Sequence, residues 1–230
     1  MHKISRSKID LFTECPRCFW LDQVKGVKRP SGPAFSLNIA VDELFKKEFD
    51  VYRSKGTTHP IMKEYGIEAV PFQHEKIDVW RSNFTGVQYH HKLTDLLVFG
   101  APDDIWVTPE GTLHVVDYKA TSTKDETDFG SKDHHSHYMR QVEVYQWLLR
   151  QNGFKVSDTA YFVFANARKK EDGFHGRLEF EIKIFPHVGT DGWIEPILEG
   201  IARCFKKKKS PTSADSCEFC WYTASAGRNR

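Results

Sequence analysis

"LLVFGAPDDIWVTPEGTLHVVDYKATS", residues 96–122, is the stretch that decides the fold. Runs of β-branched and aromatic residues lie on both sides of Pro109-Glu110-Gly111, a turn signal, which predicts a hairpin. Within it the chain places Asp103 and Asp104 after Pro102, and Asp117 and Lys119 on either side of Tyr118, where a buried strand favours valine. Residues two apart on a strand share a face, so Asp117 and Lys119 emerge together, whereas adjacent Asp103 and Asp104 diverge. If the chain turns at Gly100 and Pro102, Asp103 approaches Asp117 across the sheet. Two carboxylates that close repel each other unless a cation lies between them. A hard divalent ion accepts carboxylate oxygens, water and a phosphate oxygen, and the Tyr118 carbonyl is a further possible ligand. Lys119 is then placed to orient or deprotonate an attacking water, which is the chemistry of phosphodiester hydrolysis. Taken alone, Asp-x-Lys is better explained as an exposed ion pair on an edge strand, and it is the further features together that point to a site.

Moving outward, "TGVQYHHKLTD" precedes the hairpin and extends it into a meander of three or four antiparallel strands. Upstream, Ser7 and Asp10 resemble a capping box that starts a short helix limited by Pro16. Ser36 is placed to cap a longer amphipathic helix with Val41, Leu44, Phe45, Phe49 and Tyr52 at helical spacing. A further short helix is predicted around "HEKIDVWRSNF". Downstream, residues 123–137 have almost no apolar content and read as a mobile loop, followed by the helix "YMRQVEVYQWLLRQNG" stopped by Gly153. Two strands, "TAYFVFANARK" and "GRLEFEIKIFP", and a helix around "GWIEPILEGIARCFKKKK" complete an α/β core.

Lysine and arginine number 33 against 31 acids, a net charge of +2, so the whole-chain charge does not announce a polyanionic partner. Local cationic runs, Arg168–Lys170, Lys206–Lys209 and the closing "GRNR", are the places to look for one. No stretch approaches the apolar length of a membrane span, and the N-terminus has no signal-peptide pattern, so a cytoplasmic protein with no membrane association is expected. Without a GxxxxGK[ST] motif the chain has no P-loop. Trp80, Trp106 and Trp147 could stack on bases, although core packing explains them more simply, and His90, His91 and the histidines of "DHHSH" are read as packed or solvated.

Gly100-Ala-Pro-Asp103, Asp117-Tyr-Lys119 and Gln141-Val-Glu-Val-Tyr145, in that order after an acidic helix, resemble the PD-(D/E)XK nuclease superfamily. The RecB-type branch, which includes the nuclease associated with CRISPR adaptation, looks closest. The resemblance implies a restriction-endonuclease-like core, with a mixed central sheet flanked by helices, cutting DNA with magnesium or manganese at single-stranded ends or flaps. The same resemblance implies a helicase or CRISPR-adaptation partner. Asp103 and Asp117 match the metal-binding acids, Lys119 the catalytic lysine, and Gln141 with Tyr145 the helix motif, whose spacing puts both on one face. Where that branch has a histidine ligand in its first helix, "LNIAVDELFKK" offers Asp42, at the edge of the apolar stripe, and Glu43 as a weaker candidate.

Cys15-x-x-Cys18 and Cys217-x-x-Cys220 lie at opposite ends of the chain, and a shared ion would join the termini. Four thiolates suit a four-iron four-sulfur cluster, the first choice by resemblance, or zinc. Related nucleases that hold a cluster divide the cysteines one and three, whereas this chain divides them two and two. Residues 1–230 are therefore expected to form a single nuclease domain with a cysteine-clamped helical appendage from 1–30 and 205–230. Set against a deoxyribonuclease is a non-catalytic nucleic-acid-binding or assembly module that keeps the nuclease fold.

Overall fold

The computed structural model describes residues 1–32, 35–123 and 135–228. In chain order the elements are β1 (His2–Ser5), α1 (Arg6–Glu14), α2 (Pro16–Lys25), α3 (Ser36–Lys55), α4 (Pro60–Glu64), β2 (Val70–Pro71), α5 (Ile77–Trp80) and β3 (Val87–His91). They continue with β4 (Leu96–Gly100), β5 (Asp104–Val107), β6 (Leu113–Thr121), α6 (His135–Gln151), β7 (Thr159–Ala167), β8 (Phe180–Val188), α7 (Ile194–Phe205) and α8 (Glu218–Arg228). The chain divides into two compact units, one formed by residues 34–88 and 100–191, the other by 1–33, 89–99 and 192–230.

The first of these units is a mixed α/β layer. Its sheet has the order β2-β5-β6-β7-β8, with β6 and β7 parallel and the other neighbours antiparallel. The hairpin turn between β5 and β6 forms where expected, with Thr108 and Thr112 paired and Gly111 at φ +76°, a conformation that favours glycine. Val41, Phe45 and Phe49 of α3 pack on Trp106, Val116, Tyr118, Val163 and Ile184, which fixes one face of the sheet. Aromatic contacts dominate that layer, with Phe45 stacked on Tyr118 at 5.0 Å and Phe49 on Trp106 at 5.6 Å. Each such ring withdrawn from water contributes about 1.5–3 kcal/mol. Helix α6 lies against β6 and β7, with Tyr138 beside Phe162 on the opposite face.

The second unit carries the three-stranded sheet β1-β4-β3, in which β1 runs parallel to β4. Against it, α1, α2 and α7 pack around Phe19, whose ring meets Phe12 and Phe205 edge-on at 5.2 and 5.6 Å. Cys204 is buried on α7, as a small core residue should be.

Several local expectations are corrected. The meander is not one sheet: β3 and β4 belong to the three-stranded sheet and β5 and β6 to the five-stranded one. The break falls at Ala101-Pro102-Asp103, where proline removes a ladder donor. Pro16 ends α1 but also opens α2 at its first position, since the missing N–H costs nothing there. Ser7 does not cap α1, whose N-cap is Ser5, and Ser36 is already helical behind Phe35. Leu44 is exposed, one step off the buried stripe of Val41, Phe45 and Phe49. Of the loop expected at 123–137, residues 135–137 belong to α6, and residues 124–134, His134 among them, fall outside the described residues.

Candidate active site

The site grows from the place where β5 leaves β6. Pairing between the two ends at Asp104 opposite Val116, so the Tyr118 amide has no strand partner there. It donates instead to Oδ2 of Asp103 at 2.9 Å, and a carboxylate takes the place of a ladder carbonyl. The pleat then separates the two aspartates. Asp104 is fully buried and turns inward to an ion pair with Arg53, accepting also from the Tyr118 phenol at 2.8 Å and the Ile105 amide at 2.8 Å. Asp103 turns outward.

Asp117 is fully buried, with Oδ2 in an ion pair with Lys119 and Oδ1 without a hydrogen-bond partner. Burial pushes its pKa up to about 7, Lys119 pulls against that shift, and the nearby Asp103 adds to it. Lys119 lies over the Tyr138 ring at 4.7 Å. Burial draws its pKa down, but the charges of Asp117 and Asp103 outweigh that and hold it above the ordinary lysine value.

From α3, Asp42 faces this group while Glu43 is exposed. The Oδ1 atom of Asp42 is buried without a partner, and burial together with Asp103 raises its pKa despite Lys46. Lys46, one turn along α3, places its ammonium 2.7 Å from Asp42 Oδ2 and 3.7 Å from Asp103 Oδ1. The sequence reading overlooked Lys46, Tyr138 and Arg53. The spacing of Asp42 and Lys46, four apart on one helix face, was the available signal for the first. The three carboxylates are not drawn within 4.8 Å of one another as a set. Oδ1 of Asp42 and Oδ1 of Asp117 are nevertheless buried without a donor, and such oxygens fit a divalent cation.

On α6, Gln141 Nε2 donates to the Tyr145 hydroxyl at 3.2 Å. The Tyr145 ring covers Gly100, and a Cβ at Gly100 would lie 2.5 Å from its Cε1. The "GAPD" glycine and the helix motif are thus in direct contact. Trp80, Trp106 and Trp147 are all buried, which leaves them to the core.

In the other unit, Cys15, Cys18, Cys217 and Cys220 bring their four sulfur atoms within 4.8 Å of one another, all as free thiols. The break between α1 and α2 places Cys15 and Cys18 on the first turn of α2, and the other pair opens α8. Measured separations are 3.8 Å for Cys15–Cys220 and 3.6 Å for Cys18–Cys217 and Cys18–Cys220. Arg29 adds a cation 3.5 Å from the Cys217 sulfur. Burial alone would raise the Cys15 pKa, but amides of Cys18 and Ala214 and the adjoining thiols bring it to about 7. The donor set fits a thiophilic metal. His91 is packed rather than ligating: it is buried, with Nδ1 2.7 Å from Thr94 and Nε2 2.6 Å from Glu195. His90, exposed, pairs with Asp95 at 3.0 Å. Among the described residues no helix is long and apolar enough to cross a membrane.

Residues 40–225 match the family described as the PD-(D/E)XK nuclease superfamily. None of the curated proteins matches the chain. Among solved structures, a "Putative exonuclease" of Eubacterium rectale is 18% identical with a TM-score of 0.43, the match covering 96% of this chain and 88% of that one. LHK-Exo in complex with dAMP is 12% identical at a TM-score of 0.42, covering 99% and 95%. SSO0001 is 13% identical at 0.40, covering 97% and 84%. These overlays are loose, and the assignment rests on the match over residues 40–225.

Proposed function

This chain belongs to the PD-(D/E)XK nuclease superfamily, and on that premise we propose that it is a divalent-metal-dependent deoxyribonuclease, hydrolysing DNA phosphodiester bonds at single-stranded ends or flaps. The observation that carries this reading is Asp117. Its carboxylate is fully buried, one oxygen is ion-paired with Lys119 and the other has no donor, an arrangement that leaves a coordination position for a divalent cation. Asp103, Asp117 and Asp42 are the side chains that would hold magnesium or manganese, with the Tyr118 carbonyl as a further donor. When bound, such an ion supplies Lewis acidity and an acidified water.

The chain's own residues divide the remaining work. Lys119 keeps its proton because Asp117 and Asp103 stabilise it, so in this state it orients water and balances phosphoryl charge. With those carboxylates engaged elsewhere it loses that support and becomes a better base. Gln141 and Tyr145, anchored against Gly100, would position the substrate strand. A helicase partner would supply any unwinding, for these 230 residues hold no P-loop.

For the four cysteines, we favour a single tetrahedral zinc ion over a four-iron four-sulfur cluster. Zinc–sulfur bonds of about 2.3 Å give a tetrahedron with edges of about 3.8 Å, close to the 3.6–3.8 Å separations of the thiols. A cube that gives each thiolate its own iron spaces the sulfurs more widely. Metal analysis with a visible absorption spectrum decides: one zinc and no charge-transfer band supports this choice, and four irons with a broad visible band refute it.

Lys46 favours a second reading. An ammonium already set between Asp42 and Asp103 suits a binding or assembly module that has dispensed with the metal. Labelled single- and double-stranded DNA, and RNA, incubated with manganese separates the two. Cleavage of DNA by wild type and loss of about 10²-fold or more in Lys119→Ala support the nuclease. Binding without cleavage by wild type supports the module, and preferential cutting of RNA moves the substrate class.

A further inference from the structure

The near-neutral charge of the whole chain hides a segregation. The unit formed by residues 1–33, 89–99 and 192–230 carries 15 lysines and arginines against eight acids, a net +7, while the unit with the carboxylate site carries 18 against 23, a net −5. The phosphate backbone is thus attracted to the unit that lacks the candidate catalytic residues.

That basic unit also exposes aromatic rings. Trp221 and Tyr222, adjacent on α8, are each 68% exposed, and Phe219 is 43% exposed. Single exposed rings are ordinary, but three within four residues form a patch. With Pro30 and Glu218 these rings line a shallow groove of about 520 Å³. Arg29 lies over the Phe219 ring at 4.6 Å, and Arg228 shares the face of Trp221 at a spacing of seven. The cysteine pair Cys217 and Cys220 opens the helix and packs against Cys15 and Cys18. These are not the tryptophans the sequence singled out, which are all in the core.

We propose that this face of α8 is a stacking platform for unpaired bases of single-stranded DNA, with Trp221 and Tyr222 as the stacking rings and Arg228 as a backbone contact. The proposal rests on the nuclease reading for the identity of the nucleic acid. Stacking needs no particular base, because every base offers a π-face. Glu218, the acid in the groove, is available to accept from exocyclic amines at base edges.

The test is fluorescence anisotropy of labelled oligo(dT), with no added divalent cation, on the full chain with its cysteine-bound metal in place. Trp221→Ala with Tyr222→Ala is expected to weaken binding about 10-fold or more, whereas Trp221→Phe with Tyr222→Phe stays within about threefold because the rings persist. Should the alanine pair lose its metal or its thermal transition, Trp221→Ala and Tyr222→Ala singly carry the comparison, each expected to weaken binding. Unchanged oligonucleotide affinity in the alanine variants overturns the platform and leaves the patch to a protein partner. Cutting of DNA by a wild type whose affinity ignores these rings keeps the nuclease reading and removes this one. Ring-dependent binding without cutting does the reverse.

Discussion

The Tyr145 ring lies over Gly100 so closely that a Cβ at Gly100 would sit 2.5 Å from Cε1 and 2.9 Å from Cδ1, with Leu148 at 3.3 Å behind. A buried ring of this kind cannot swing away cheaply. Gly100→Ala should destabilise the protein by about 2 kcal/mol, read as a fall of about 4–8 °C in the thermal midpoint. Tyr145→Phe keeps the ring and loses the bond from Gln141, so it should cost at most about 1 kcal/mol. If it also lowers cleavage at unchanged stability, the phenol acts on substrate.

Arg53 and Asp104 form an ion pair inside the α3 layer, extended by Asp50 and the Tyr118 phenol. Removing one partner strands a buried charge. Arg53→Met should cost about 3–5 kcal/mol, and adding Asp104→Leu should recover part of it rather than double it. Additive losses in chemical denaturation would show that the pair does not interact as drawn.

Lys46 competes with any metal for Asp42 and Asp103, at 2.7 and 3.7 Å. Lys46→Met is expected to tighten manganese binding by about tenfold, or about 1.4 kcal/mol, in calorimetric titration, and to lower stability when no manganese is added. Weaker manganese binding in the variant would show that Lys46 does not compete with the metal for these carboxylates.

The pH response follows from Asp117, whose pKa burial pushes up to about 7 from an ordinary 3.8. The folded chain therefore holds a proton that the unfolded chain releases, and stability falls as pH rises from about 4 to about 7. Beyond that the contribution is flat. Differential scanning fluorimetry without added divalent cation should show this slope in wild type, less of it in Asp117→Asn, and recovery at pH 8 when manganese is added. Identical slopes in the two proteins would exclude Asp117 as the source.

Cys15→Ala should release the cysteine-bound metal and raise amide exchange in α1, α2 and α8 while the five-stranded sheet keeps its protection. Equal exchange in both proteins would show that the four thiols do not clamp the termini.

The sequence by itself determined the hairpin, because a turn with glycine at positive φ between two β-branched runs is local chemistry, and Gly111 shows it. It determined that Asp117 and Lys119 share a face and that Asp103 and Asp104 do not, because the pleat has period two. It also determined the buried stripe on α3, and the pairing of distant cysteines through the chemistry of thiols.

What it did not contain were relations between residues far apart in the chain. The meander divided between two sheets, because which edge accepts a strand is settled by packing. Asp104 found Arg53, 51 residues away, and that distant guanidinium is what assigned it to the core while leaving Asp103 outside. The tertiary structure alone placed Tyr145 on Gly100 and segregated charge between two units assembled from discontinuous segments. Periodicity is written along the chain, but desolvation and Coulomb pairing depend on distances that exist only once the chain is folded.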